Sequence, residues 1–209
     1  MKKNHHVLLI GNAGPVCPKT LQQVAQTADL IVAVDGGANY ALRAGITPDV
    51  IIGDLDSVSP RTRKKLVHSQ WIFVDNQNNT DLQKALDYLV AHKYKQCTLA
   101  GFTKGRPDFT LGNLLTLSTY ASKIDWCLLE DGWKIYPLIK SKTFVTRPGA
   151  RVSLVPIKPC SGVTLNGLQF PLTNARLPLG TTRTLSNRTV KNRFSVRLKS
   201  GLLFVCLEA

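Results

Sequence analysis

Over the first 130 residues, short apolar runs alternate with segments of helical period. That pattern builds a parallel sheet covered by helices on both faces. Residues 7–10 predict a first strand, closed by Gly11-Asn12-Ala13-Gly14-Pro15, and a helix is expected over residues 19–27. The β-branched run 30–34 predicts a second strand that stops at Asp35-Gly36-Gly37, followed by a short helix over 39–44 that Gly45 ends. Residues 50–52 predict a third strand, which delivers Gly53-Asp54-Leu55-Asp56-Ser57 at its carboxyl end. Ser59 then reads as a helix cap with Pro60 at the first helical position. After a strand over 71–74, Leu82, Ala85, Leu86, Leu89 and Val90 recur with helical spacing behind Thr80 or Asp81 as the cap. A strand over 97–100, a loop over 101–106, a helix over 108–120 with Leu111, Leu114 and Leu115 on one side, and a strand over 124–129 complete this part.

Beyond about residue 140 the period falls to two: Val152/Leu154, then Phe194/Val196/Leu198, then Leu203/Val205/Leu207. A small antiparallel β unit is expected there, with Lys199-Ser200-Gly201 as a hairpin connection. The fold class is therefore α/β, with a β unit behind the parallel sheet.

Composition adds limits. With 209 residues, 44% of them hydrophobic and 19% charged, the chain is expected to fold unaided. No apolar run approaches the roughly 20 residues that span a bilayer, and Lys2 and Lys3 before the short first strand resemble an export signal only faintly. A cytoplasmic protein without a membrane partner is expected. Five cysteines, an odd number with no C-x-x-C pair, argue against a disulfide framework or a zinc site. Charge is uneven: 14 basic and 11 acidic residues up to Glu130, then 13 basic and two acidic from Asp131 onward. The second part is basic enough to attract nucleic acid, an acidic surface or polyphosphate, or only to keep a solvated face. It holds no aromatic-rich RNA-binding signature and no DNA-reading helix, so nucleic acid is not an expected partner.

Ligands of open α/β sheets gather at the carboxyl ends of the strands, and five of the first part's 11 acidic residues lie in the loops there. These loops carry Asp35-Gly36-Gly37-Ala38-Asn39, Asp54-x-Asp56-Ser57, Asn79-Thr80-Asp81 and Gly105-Arg106-x-Asp108. Clustered carboxylates repel one another unless a cation neutralises them. Asp54 and Asp56, two apart in extended chain, point to one side and can share a hard cation, with Asp81 completing the site. Oxygen-only ligands favour magnesium. Lys84 and Arg106 offer charge to phosphate oxygens, and the glycines at 36 and 37 would let backbone N–H groups approach an anion. Each element alone also reads as an ordinary turn or cap; together they suit phosphoryl transfer.

The ordered segments VDGGANYAL, PDVIIGDLDS, NTDLQKAL and GRPDFTLGNLL resemble the thiamine pyrophosphokinase family. The resemblance implies a Rossmann-like α/β catalytic domain over residues 1–135 and a thiamine-binding β-sandwich over 140–209. It implies a homodimer with active sites between subunits, and magnesium-dependent transfer of the terminal diphosphate of ATP to the thiamine hydroxyl, leaving AMP. In that scheme Asp54, Asp56 and Asp81 are the metal ligands and, with Asp108, the catalytic set. Asp35, Asn39, Ser57, Thr80, Lys84, Arg106 and Asn113 serve the nucleotide, while Phe170, Ser186 and Asn187 serve thiamine. Three positions depart from the family pattern: Phe170 stands for a tryptophan that stacks on thiamine, Lys104 for a glycine and Phe109 for a histidine. Phe170 also fits a plain core position in an alternating strand. Two alternatives stay open: a diphosphokinase for another acceptor such as 6-hydroxymethylpterin, and a catalytically degenerate nucleotide- or nucleic-acid-binding protein.

Overall fold

The computed structural model describes residues 5–130 and 132–209; Lys2, Lys3 and Asp131 lie outside them. Two compact units divide the chain at Glu130/Asp131.

In the first unit β1 (His6–Ile10), α1 (Pro18–Ala25), β2 (Leu30–Val34), α2 (Gly37–Arg43), β3 (Val50–Gly53), α3 (Pro60–Lys65), β4 (Gln70–Phe73), α4 (Asp81–Ala91), β5 (Gln96–Ala100), α5 (Pro107–Thr119) and β6 (Asp125–Glu130) follow in turn. The strands are parallel, in the order β4-β3-β2-β1-β5-β6. Val7, Leu8, Leu9 and Ile10 are all fully buried, and since successive strand residues point to opposite faces, β1 is covered on both. On one face Leu8, Ile10 and Ala100 pack with Leu21 of α1 and Ala41 of α2. The order changes direction at β1, with β2 on one side and β5 on the other. A ligand crevice is expected at such a switch point.

Local signals act as read. The Ser59 Oγ accepts from Thr62 N at 3.1 Å, and Gly45, at φ 71°, ends α2. Ser59→Ala should remove about 1 kcal/mol, measurable as a lower urea midpoint at constant slope. The leucine-bearing side of α5 is not the side that packs. Leu111 and Leu115 of α5 are exposed, and it is Asn113 and Leu117 that face inward. Trp126 explains the rotation: its indole N–H donates to Leu117 O at 3.0 Å, docking that side of the helix on β6.

The second unit holds β7 (Trp133–Leu138), β8 (Lys142–Val145), β9 (Arg151–Asn166), β10 (Leu172–Leu177), β11 (Asn187–Arg188), β12 (Arg193–Arg197) and β13 (Ser200–Glu208). Sixteen residues long, β9 serves two sheets. Its first half pairs antiparallel with β13, which also pairs with β7. Its second half pairs with β10 and β12, and β12 with β8. Between them lie Phe144, Val152, Leu154, Val163, Leu165, Phe194, Val196, Leu203, Val205 and Leu207. This is an antiparallel β-sandwich. Residues 199–201 are not the hairpin expected from sequence: β12 and β13 both pair with β9, at different halves, so the connection changes sheets. Gly201, at φ 112°, makes the change against β9, where a Cβ would lie 2.6 Å from Cys160 Sγ and Pro159 O.

Candidate active site

The carboxyl ends of β2 and β3 and the start of α4 bring three carboxylates together. Asp35 leaves β2 at φ 47°, and Asp81 is the first residue of α4, whose cap Thr80 accepts from Gln83 N at 3.3 Å. One carboxylate oxygen from each of Asp35, Asp54 and Asp81 lies within 4.8 Å of the others. Gly53 makes room for them. At φ 146°, it would carry a Cβ 3.1 Å from Asp35 Cβ and 3.2 Å from Asp81 Oδ1.

Three like charges at this separation need compensation. Lys84 supplies part of it: on a side chain 3% exposed, its ammonium lies 2.8 Å from Asp81 Oδ1. The backbone N–H of Ser57 donates to Asp35 Oδ1 at 3.2 Å. Among the described residues one paired cation stands against three carboxylates, which leaves the cluster acidic, and the donors are all oxygen, so the set fits a hard divalent cation such as magnesium.

The sequence pairs Asp54 with Asp56 and Asp81; in the structure Asp35 is the third carboxylate of the cluster, and Asp56 lines the pocket beside it. The same-side rule assumed an extended Leu55, but Leu55 is at φ 64° and breaks the alternation. Asp56 Oδ1 accepts instead from Ser57 Oγ at 2.9 Å. Asn39 holds this loop on α2. It donates to Ser57 O at 2.8 Å and accepts from Ser59 N at 3.1 Å and Thr62 Oγ1 at 2.7 Å. All of these bonds go to protein partners, so Asn39 positions the loop.

The glycine turn likewise serves packing. A Cβ on Gly37 would sit 2.0 Å from Ile10 O, and the Ala38 and Asn39 N–H groups are already taken by Asp35 O and Gly36 O.

Beside the carboxylates opens a pocket of about 470 Å3. Of the residues expected to serve catalysis or the nucleotide, Asp35, Asp54, Asp56, Ser57, Thr80, Asp81, Arg106 and Asn113 line it, and Asn39, Lys84 and Asp108 do not. Lys104 and Phe109 are also on its wall. Arg106 is paired with Asp108, Nε to Oδ1 at 3.1 Å and a terminal nitrogen to Oδ2 at 2.5 Å. Its guanidinium lies 4.5 Å from the Phe109 ring centre. Hydrogen bonding from Arg106 holds the Asp108 carboxyl below the usual carboxylate range. Lys104 donates to Pro15 O at 2.8 Å, tying this loop to the one after β1. The buried Asn113 donates to Phe102 O at 2.8 Å. Asn12, Ala13 and Phe102 join the wall without having been singled out from sequence. The strand-end rule, applied to β1 as well as to its neighbours, would have found Asn12.

In the second unit Phe170 is 61% exposed, so it is not a core residue. The buried Asn187 fixes its backbone from both sides, accepting from Phe170 N at 3.0 Å and donating to Phe170 O at 2.8 Å. Ser186, at φ 55°, donates its N–H to Ser153 Oγ at 2.9 Å. The three residues expected to serve thiamine thus include a directly bonded pair, Phe170 and Asn187, with Ser186 next in chain.

Two family profiles match the chain: "Thiamin pyrophosphokinase, catalytic domain" over residues 21–128 and "Thiamin pyrophosphokinase, vitamin B1 binding domain" over residues 142–203. The chain belongs to the thiamin pyrophosphokinase family. Relatives in this family include the thiamine pyrophosphokinase of Bacillus subtilis (strain 168), 26% identical over 183 residues that cover 84% of this chain and 86% of that protein. Thiamine pyrophosphokinase 3 of Oryza sativa subsp. japonica is 29% identical over 200 residues, 81% of this chain and 74% of its own. Among solved structures, thiamine pyrophosphokinase from Bacillus subtilis superposes with a TM-score of 0.85 at 24% identity, over 97% of this chain and 99% of that one. The Geobacillus thermodenitrificans thiamin pyrophosphokinase gives 0.84 at 22%, over 98% and 97%. Both share the fold described above, a parallel α/β unit and an antiparallel β unit.

Proposed function

We propose that this protein transfers the terminal diphosphate of ATP to the hydroxyl of thiamine, giving thiamine diphosphate and AMP. The observation that carries the reading is the convergence of Asp35, Asp54 and Asp81 beside a pocket walled by Lys104 and Arg106. Phosphoryl transfer depends on such positioning and charge neutralisation. The thiamine oxygen attacks the β-phosphorus, the bond from that phosphorus to the bridging oxygen breaks, and the electron pair leaves with AMP.

Asp35, Asp54 and Asp81 would hold magnesium, which supplies charge neutralisation on the phosphate oxygens when bound. Lys84 sets the orientation of Asp81 through their 2.8 Å contact. Arg106 is the mobile cation of the pocket: on an exposed, solvent-screened pair with Asp108, it can exchange that carboxylate for a phosphate at little cost. While Arg106 is paired with it, the Asp108 carboxyl is held below its usual range; once Arg106 turns to a phosphate, Asp108 is left free to accept a proton.

For the acceptor, the exposed Phe170 ring offers a stacking face to a cationic heterocycle. Phe170→Ala should raise the KM for thiamine about tenfold and leave the KM for ATP in place, whereas Phe170→Trp should lower the thiamine KM. An unchanged thiamine KM in the alanine variant would remove Phe170 from the site. The assembly proposed with this activity is a homodimer with active sites between subunits, favoured by the exposed Leu111 and Leu115 of α5; a monomer in light scattering counts against it. A cytoplasmic location is supported by five free thiols, and no helix among the described residues is long and apolar enough to cross a membrane.

The activity is tested by AMP release with ATP and magnesium, in parallel reactions with thiamine, 6-hydroxymethylpterin and no acceptor. AMP and thiamine diphosphate only with thiamine are the expected products. Turnover only with the pterin changes the acceptor. No turnover with either leaves a nucleotide-binding protein.

A further inference from the structure

A buried carboxylate stands behind the pocket and takes no part in the site just described. Glu130, the last residue of β6, is 8% exposed. Its Oε1 accepts from three consecutive backbone N–H groups: Gly101 at 2.9 Å, Phe102 at 2.8 Å and Thr103 at 3.3 Å. Its Oε2 is buried with no hydrogen-bond partner among the described residues. The loop it grips continues directly into Lys104, Gly105 and Arg106 on the pocket wall.

We propose that Glu130 is the positioning residue that sets the phosphate-facing wall of the pocket, by clamping residues 101–103 so that Lys104 and Arg106 face the nucleotide. The proposal rests on the nucleotide-binding part of the function above. Three features support it. The three N–H groups form a concavity of the kind that elsewhere binds anions, but here it is filled by the protein's own carboxylate. Those N–H groups are therefore spent, and anion recognition on this wall falls to the side chains of Lys104 and Arg106, whose placement the backbone beneath must fix. Secondly, the grip is asymmetric: concentrating three donors on Oε1 leaves Oε2 buried and unsatisfied, a local cost that a purely structural contact would shed by sharing the donors. Thirdly, the same turn is held from its other side. Asn113 donates to Phe102 O, and Ala13 N donates to Gly101 O at 2.8 Å. Gly101 itself stands at φ 83°, where a Cβ would lie 2.9 Å from Gly11 O, so the turn has one course past β1. Glu130 reaches this turn from β6, whose Leu129 is in register with Ala100.

The test uses the full chain with Glu130→Ala, Glu130→Gln and Glu130→Asp. It reads ATP affinity by calorimetry, the KM values for ATP and thiamine, thermal unfolding, and amide hydrogen exchange over 101–106. Glu130→Ala should weaken ATP about tenfold or more, the loss of a charge-assisted cluster of hydrogen bonds. The thiamine KM should stay within about twofold, and exchange should rise over 101–106 while β1 and β5 stay protected. Glu130→Gln keeps an oxygen for the three N–H groups and should recover most of the ATP affinity. Glu130→Asp, one methylene short of the turn, should fall between, and it carries the test if the alanine variant does not fold. A lowered melting temperature with ATP affinity and loop exchange unchanged would overturn the proposal, as would equal losses in the ATP and thiamine KM. Wild-type protein that binds ATP but does not convert thiamine would defeat the proposed reaction alone, because calorimetry and exchange still report on Glu130.

Discussion

Asp81→Ala is expected to lower turnover by about a thousandfold, the scale set by removing one preorganised electrostatic group from a phosphoryl-transfer site. Asp81 stands at two junctions. It shares the carboxylate cluster with Asp35 and Asp54, and it is the counter-ion of the ammonium of Lys84, whose side chain is 3% exposed. Alanine therefore does two things: it removes a proposed cation ligand and leaves a buried charge unpaired, for a destabilisation of about 3 kcal/mol. Asp81→Asn separates them. The amide oxygen can still accept from Lys84, so stability should recover while turnover does not. The measurement is kcat with saturating ATP, magnesium and thiamine beside a thermal melt. Turnover in the asparagine variant within about tenfold of wild type would take Asp81 out of the catalytic set.

The second large effect falls on stability. Gly37→Ala should cost about 3 kcal/mol, at the upper end for overpacking, and lower the melting temperature by about 10 °C. The added Cβ would lie 2.0 Å from Ile10 O. That neighbour is the backbone of the central strand and cannot turn aside as a flexible side chain would. Gly112→Ala in α5 is the matched control: nothing lies within 4 Å of its Cβ, and alanine in a helix interior should gain about 0.5–1 kcal/mol. Calorimetric melts of both variants decide it, and a Gly37→Ala melt unchanged from wild type would refute the close approach.

Most of the first unit was legible because its signals are local. The apolar runs, the Ser59 and Thr80 caps, and the glycine at the end of α2 depend on neighbours in sequence. The carboxylate cluster was legible to the level of loops, since the ends of parallel strands converge whatever the residues between them. It was not legible to the level of the individual ligand. Choosing Asp35 over Asp56 for the cluster required the backbone angle at Leu55, and a leucine at φ 64° has no sequence signature. The orientation of α5 failed for another reason: leucines occur all round that helix, so periodicity alone cannot say which of them face the sheet. Asn39 stood in a recognisable motif, yet its three bonded partners, Ser57 O, Ser59 N and Thr62 Oγ1, lie some 20 residues on. Glu130 was silent, since an acidic residue ending a strand reads as an exposed one.

The second unit was legible as strands and misread as connectivity. Two alternating runs joined by Lys199-Ser200-Gly201 make a hairpin by every local rule, and only the dual pairing of β9 shows otherwise.

That long strand also governs how the second unit can assemble. Leu203 of β13 pairs with Leu138 of β7 and with Pro156 of β9, contacts between segments far apart along the chain. Apart from the β9–β10 pair, the unit does not zip up from successive hairpins, and closing such wide loops makes its folding slow. Since one strand runs through both layers, melting of one layer is expected to take the other with it. The sandwich is one cooperative unit, and the perch of Phe170 on Asn187 persists only while that unit stays folded.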